Sequence, residues 1–314
     1  MGRILMGICA ALLLGLIASY FLIPQTIVFS KVMFLRSTIG AAERAFLNSK
    51  ERGKWWPQQT GDSLQTIVNG VHNLENYKYE FPEKTYSGST VKIIRGDKTV
   101  TSSIHFVPLK IDSIAVKWKS ELPETKNPFK RIANYLTAIA IKKNMAQVLE
   151  AVKIFLNKDE NIYGLRIIEE KVKDTILLST KWTSAAYPST EVIYQKIDEL
   201  KKYIQANNGI ETNHPMLNIF ENQGTYANMV AIPLNRELPE NDAFVLKKMI
   251  PGRILTTETI GGVYASKASV KKLELYIDDH KMTSPAIPFE SLVSNRMAER
   301  DSNKWVTKVY YPIY

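Results

Sequence analysis

Few residues in this chain have the types and spacing that chemistry needs. The single cysteine, Cys9, sits inside an apolar run, so no disulfide forms within the chain and no cysteine-based metal site can be built. His72 and His105 have no metal-ligand spacing with other His, Asp or Glu residues, and each reads as an ordinary surface or partly buried histidine. There is no Ser-His-Asp or Cys-His arrangement and no glycine-rich phosphate loop. No metal and no cofactor are therefore expected. What remains is a carboxylate. In a strand reading of Pro288 to Val293, Pro288, Glu290 and Leu292 share one face, and Phe289, Ser291 and Val293 the other. A carboxylate partly removed from water must find a cation, gain hydrogen bonds or take up a proton. Trp182, Tyr226, Tyr264 and Tyr310 are aromatic side chains that could wall such a site. Aromatic walls favour flat or cationic ligands through stacking and cation–π attraction. Core packing explains each of these aromatics at least as well, and a solvated strand position explains the glutamate.

The elements that must position these residues belong to an internal repeat in residues 162–314. Tyr187 matches Tyr264, 77 residues on, and Ile232-Pro233 matches Tyr311-Pro312, 79 residues on. Nearly constant offsets at two separate markers argue for duplication. Each copy reads as a strand, a small-residue turn, a helix and two strands. Ile193, Ile197, Leu200 and Ile204 share a helix face in the first copy, and Val270, Leu273 and Ile277 in the second. Pro188 suits a first helical turn. Two such β-α-β-β modules about a pseudo-twofold axis leave a concave cleft, the usual shape of a ligand site.

On these residues the second half resembles the GyrI-like small-molecule-binding domain, also found as the effector-binding domain of AraC-type and MerR-type regulators. The motifs that carry it are Tyr187-Pro188, Pro251-Gly252, Gly261-Gly262-Val263-Tyr264, Pro288-Phe289-Glu290 and Val309-Tyr310-Tyr311-Pro312-Ile313. The resemblance implies that Glu290 lies in the cleft and meets cationic, aromatic ligands. The sequence departs from the family at Thr259-Ile260-Gly261, where His-Xaa-Gly is common, and at Leu292, where Tyr is usual. It departs again at Asn295-Arg296-Met297, where Asn-Asp-Pro is common.

Residues 25–161 read differently. TIVFSKVMFL is strand-like, a short helical stretch ends in Lys54-Trp55-Trp56-Pro57, and four strand-like segments follow between Tyr77 and Trp118. Asn127-Pro128-Phe129 then opens a long helix, with Ile132, Leu136, Ile139, Met145, Leu149, Val152 and Leu156 on one broad face. This order, with those two motifs, resembles the SRPBCC (START-like, polyketide cyclase-like) superfamily, whose helix-grip fold wraps a curved sheet around a long helix. Trp55 and Trp56 either pack or line a cavity mouth.

The N-terminal run Ile4 to Ile23 carries no charge over 20 residues, close to the length that spans a hydrocarbon core. A cleaved signal peptide would have a shorter apolar core, and Ile8 before Cys9 argues against a lipoprotein. Residues 1–24 are expected to form an uncleaved transmembrane signal anchor. That places the chain in the bacterial cytoplasmic membrane as a single-pass protein, its globular part outside the cytoplasm. The net charge of +10 is concentrated before residue 161: 22 Lys and Arg face 13 Asp and Glu there, against 19 and 18 in the rest. A basic region beside anionic headgroups fits this pattern. No basic stripe interleaved with aromatics marks a nucleic-acid binder.

The expected fold class is thus α+β: one transmembrane helix, a START-like domain over 25–161 and a duplicated GyrI-like domain over 162–314. Three functions stay open. The first is a membrane-anchored binding or sensing protein for small hydrophobic or cationic aromatic molecules. The second is a hydrolase of reactive, cyclopropane-type molecules, in which Glu290 acts with Tyr226 or Tyr264. The third is a structural role at the membrane.

Overall fold

A computed structural model describes residues 4, 6, 7, 10, 14, 15, 17, 20–57 and 70–314. Among these, no helix is long and apolar enough to cross a membrane. A span needs about 20 apolar residues in one helix, and no described helix offers them. The expected anchor, and with it the single-pass placement in the cytoplasmic membrane, is corrected accordingly. Arg3, Ile8, Cys9, Ala18 and Ser19 lie outside the described residues. The chain divides into two compact units, Met1–Lys158 and Asp159–Tyr314.

The first unit runs β1 (Ile27–Leu35), α1 (Ile39–Leu47), α2 (Ser49–Trp55), β2 (His72–Leu74), β3 (Tyr77–Thr85), β4 (Gly88–Arg95), β5 (Lys98–Lys110), β6 (Ser113–Leu122) and α3 (Pro128–Leu156). Its strands form one antiparallel sheet in the order β1-β6-β5-β4-β3-β2. Alternation sets the buried face of β6, where Ile114, Val116, Trp118, Ser120 and Leu122 point inward. The Asn127 side chain caps α3 by accepting from the Phe129 and Lys130 N–H groups, and Pro128 occupies the first turn, where no N–H is missed. Trp55 and Trp56 are packing residues. Trp55 meets Phe46 edge-on and donates to the Ala45 carbonyl, while Trp56 lies against His72 and Tyr79.

Two expectations fail in this unit. Met145, Leu149, Val152 and Leu156 are buried along α3, but Leu136 and Ile139 are exposed, and Ala138, Ile141 and Asn144 face the core instead. Ile139 and Met145 are six residues apart, about 120° around a helix, so they cannot share a face. His72 is fully buried rather than at or near the surface. Its Nε2 accepts from Arg52 Nε at 3.0 Å.

The second unit begins with α4 (Asp159–Tyr163) and continues β7 (Ile168–Lys171), β8 (Ile176–Ser184), α5 (Thr190–Ala206), β9 (Met216–Asn222), β10 (Thr225–Pro233), β11 (Val245–Lys248), β12 (Arg253–Ile260), α6 (Val263–Asp279), β13 (Phe289–Leu292) and β14 (Val306–Ile313). The duplication is visible in its eight-stranded sheet, ordered β11-β8-β10-β9-β13-β14-β12-β7. The order reads the same from either end once β8 is matched with β12, β9 with β13 and β10 with β14. The copies meet where β9 pairs with β13, Glu290 opposite Leu217. Each copy has a leading strand beyond the expected β-α-β-β, and these are exchanged: β7 pairs with β12, and β11 with β8.

Both long helices lie on one face of the sheet. α5 buries Ile193, Ile197, Leu200 and Ile204 against Leu178, Leu217, Val230, Ile232 and Leu292. α6 buries Leu273 and Ile277 against Leu255, Val309 and Ile313. Leu178 and Leu255 are 77 residues apart, but Leu200 and Leu273 only 73, so the second strand-to-helix connection is four residues shorter. Gly261 makes the short turn, its φ of +133° being one that side-chain-bearing residues rarely adopt. The match of Tyr187 with Tyr264 fails for this reason: Tyr187 precedes α5, whereas Tyr264 lies inside α6.

Candidate functional site

Glu290 is on the helix-facing side of β13, in register with Val309 on β14 and Leu217 on β9. Its carboxylate is engaged on both oxygens. The Ser266 hydroxyl on α6 lies 2.7 Å from Oε1 and 3.0 Å from the Val263 carbonyl. One proton serves two acceptors there, and the shorter contact to the charged group is the stronger. Arg296 Nη2 lies 3.2 Å from Oε2 and also donates to Thr307 Oγ1 at 2.8 Å. The Arg296 side chain is 3% exposed and that of Glu290 14%. The guanidinium sits 4.9 Å above the Trp305 ring, and its Nε finds no acceptor among the described residues. Both helices place this pair. α6 supplies Ser266, and the Tyr194 hydroxyl of α5 accepts from the Arg296 N–H at 2.8 Å and donates to the Ser294 carbonyl at 3.1 Å.

Beside the pair is a cavity of about 240 Å³, lined by Tyr187, Leu217, Ile219, Lys267, Val270, Pro288 and Glu290 among others. Tyr187 stands edge-on to Tyr226, their rings 5.8 Å apart, and Lys267 Nζ lies 4.6 Å from the Tyr187 ring centre. Burial pushes the Tyr187 hydroxyl above its ordinary range, and the negative charge of Glu290 adds to this. That hydroxyl therefore stays protonated near neutral pH and can donate. The site offers an acceptor already in an ion pair, a phenol donor and an aromatic face already covered by a lysine.

The residues marked in the sequence do not all come together. Tyr226 joins Glu290 through Tyr187. Trp182 is on the same sheet face, packed against the α5 core, and its buried indole N–H finds no acceptor among the described residues. Tyr264 is 90% exposed. Tyr310 is on the opposite face, stacked on Phe289 with ring centres 5.0 Å apart and planes at 13°. Sequence reasoning missed Ser266, Arg296, Tyr187 and Lys267. Two of them left a signal. Ser266 takes the helix position that Ile193 holds in the first copy, a polar residue in an apolar row. Arg296 is a cation within the segment that departs from the family pattern, six residues after the glutamate.

No protein-family model matches the sequence, and no curated protein matches it. Solved structures that it is similar to include the EcmrR C-terminal domain, with 13% identity, 48% of this chain and 98% of that chain covered, and a TM-score of 0.42. A structure of SAV2435 bound to tetraphenylphosphonium has 17% identity, coverage of 48% and 94%, and a TM-score of 0.32. A START superfamily protein from Mycobacterium smegmatis has 15% identity, coverage of 39% and 97%, and a TM-score of 0.25.

Proposed function

We propose that this is a small-molecule-binding protein whose second unit, read as a duplicated GyrI-like domain, takes up a small aromatic ligand in the cavity beside Glu290. The observation that carries the reading is the placement of a carboxylate, 14% exposed, on the wall of a cavity of about 240 Å³ where the two copies of the module meet. Apolar walls with a few convergent polar groups are the usual composition of a ligand site. The first unit, with its six-stranded sheet and 29-residue helix, is read as START-like.

The charge arrangement narrows the ligand class. A bare carboxylate would favour a cation, but here Arg296 already neutralises Glu290, and Lys267 already covers Tyr187. The wall also carries Glu274 and Lys271, and an incoming cation reaches Glu290 only by displacing Arg296. A neutral aromatic molecule with a hydrogen-bond acceptor instead meets Tyr187 and Lys267 as donors. The hydrolase alternative draws less from the site: Tyr264 is exposed, Tyr226 meets Glu290 only through Tyr187, and both Glu290 oxygens already accept hydrogen bonds.

The test is calorimetric titration of the full chain with triphenylphosphine oxide, which is neutral, and with tetraphenylphosphonium, which is cationic. The oxide is expected to bind more tightly, and Tyr187→Phe to weaken it by about tenfold, the equivalent of one hydrogen bond at about 1.4 kcal/mol. If neither compound binds, or if Tyr187→Phe and Glu290→Gln leave both affinities unchanged, the reading is wrong.

A further inference from the structure

The helix-free face of the same sheet carries a second cavity, of about 290 Å³, at the lower end of the roughly 300–1,000 Å³ usual for small-molecule sites. Its floor is apolar: Leu177, Met216 and Ala231 form a small buried cluster, with Met249 and Phe289 against it. Met229 and Pro312 extend the lining. Glu290 points the other way and lines only the first cavity, although Leu217, Asn218 and Phe289 border both. Methionine-rich walls are polarizable and adaptable, suited to an unbranched chain more than to a rigid ring.

Three basic side chains line it, and they are not equivalent. Arg253 forms a bidentate pair with Glu169, at 2.6 and 2.7 Å, and Lys248 Nζ lies 2.5 Å from Glu237. Lys247 faces the cavity beside Leu177, its strand partner, and has no acidic partner among the described residues. Lys181 on β8 is on the same sheet face, opposite Met229, and it too is in no ion pair among the described residues. The Lys247 ammonium is held below its ordinary pKa, first by burial and then by Lys181. Lys247 on the cavity wall, with Lys181 beyond it on the same sheet face, makes a cationic edge that an anion relieves.

We infer that the helix-free face binds a single-chain amphiphile with an anionic head group, its alkyl chain along Met216, Met229 and Met249 and its head at Lys247 and Lys181. A fatty acid carboxylate is the simplest member of the class.

The experiment uses the full chain with methyl-labelled methionine, titrated below micelle concentrations with laurate, dodecanol and dodecyltrimethylammonium while methyl resonances are followed. Laurate is expected to shift Met216, Met229 and Met249 saturably and leave Met145, in the first unit, unmoved. Dodecyltrimethylammonium should bind at least about tenfold more weakly. Replacing Lys181→Gln and Lys247→Gln together should bring laurate down to the affinity of dodecanol, with dodecanol unchanged. Both lysines are on the surface or half-buried, so the fold is expected to tolerate the change. Absence of saturable shifts at the three methionines would overturn the inference, as would equal binding of laurate and the ammonium. A laurate affinity that falls in Glu290→Gln would also overturn it, by placing the chain on the helix side. Failure of triphenylphosphine oxide to bind leaves these outcomes untouched, so the two sites are judged separately.

Discussion

Each unit buries an arginine against an aromatic ring, and the two are held in opposite ways. In the first unit, Arg52 lies 4.1 Å above Phe81, donates to the neutral His72 ring at 3.0 Å and to the Phe46 carbonyl. In the second, Arg296 lies over Trp305 and meets a carboxylate. Burial pulls Arg52 down to about 10, and burial together with the Arg52 charge pulls His72 down to about 4. The comparison teaches that a buried guanidinium can be satisfied by neutral acceptors, at the expense of displaced titrations, or by an anion. Only the second solution places a polar acceptor on a cavity wall. The first belongs to a core.

The largest way to break the contrast is to make the second unit resemble the first. Arg296→Met leaves Glu290 without its cation and should cost about 3–5 kcal/mol in chemical denaturation of the full chain. Adding Glu290→Gln should recover part of that loss, and no recovery would mean that the pair is not the unit of stability. Next in size is acid titration of the first unit. His72 is neutral when folded down to about pH 4, whereas an unfolded histidine takes up its proton near pH 6.5. Its contribution is therefore intact above pH 6.5 and lost as pH falls towards 4, by about 3 kcal/mol at most. His72→Gln should flatten the pH dependence of the melting temperature over that window. If the slope persists unchanged, His72 is not its source.

Smaller still is Ser266→Ala, which removes one donor from Glu290 but leaves Arg296. A loss of about 1–2 kcal/mol is expected, with weaker binding of triphenylphosphine oxide by the same variant. An unchanged melting temperature would show that this hydroxyl adds nothing to stability. The smallest effect belongs to Glu169→Gln, which breaks a bidentate pair with Arg253 in which both side chains are nearly half exposed. Solvent screens such pairs, and no resolvable change in melting temperature is expected. A clear loss would give edge-strand ion pairs a weight comparable with the buried one.

Local patterns carried much of the fold. Asn127-Pro128 announces α3, the 3.6-residue rows announce α5 and α6, and strand parity puts Glu290 and Leu292 on a single face. Information held in pairings distant along the chain was hidden. No local pattern shows that β7 pairs with β12, 84 positions away at Glu170 and Ile254 by register, nor that β11 pairs with β8. The pairing of Glu290 with Arg296 is close in sequence but depends on how Tyr194 of α5 holds the intervening turn. Apolar content along α3 was legible and its orientation was not, because Leu136 and Ile139 contribute to hydropathy as fully as Ile141 and Val148. The anchor expected over Ile4 to Ile23 rests on composition alone, and no helix among the described residues is long and apolar enough to cross a membrane.

The exchanged leading strands have a consequence for how the second unit can be taken apart. Each half lends its first strand to the far edge of the other, so the duplicate is clasped rather than laid side by side. A cut between Pro233 and Val245 yields two fragments that each retain a strand with no native neighbour and lack one they need. Mixed together, they should reassemble only as a complementing pair. Alone, the first fragment has a ready substitute in another molecule of itself, and its smallest self-sufficient form is a reciprocal dimer.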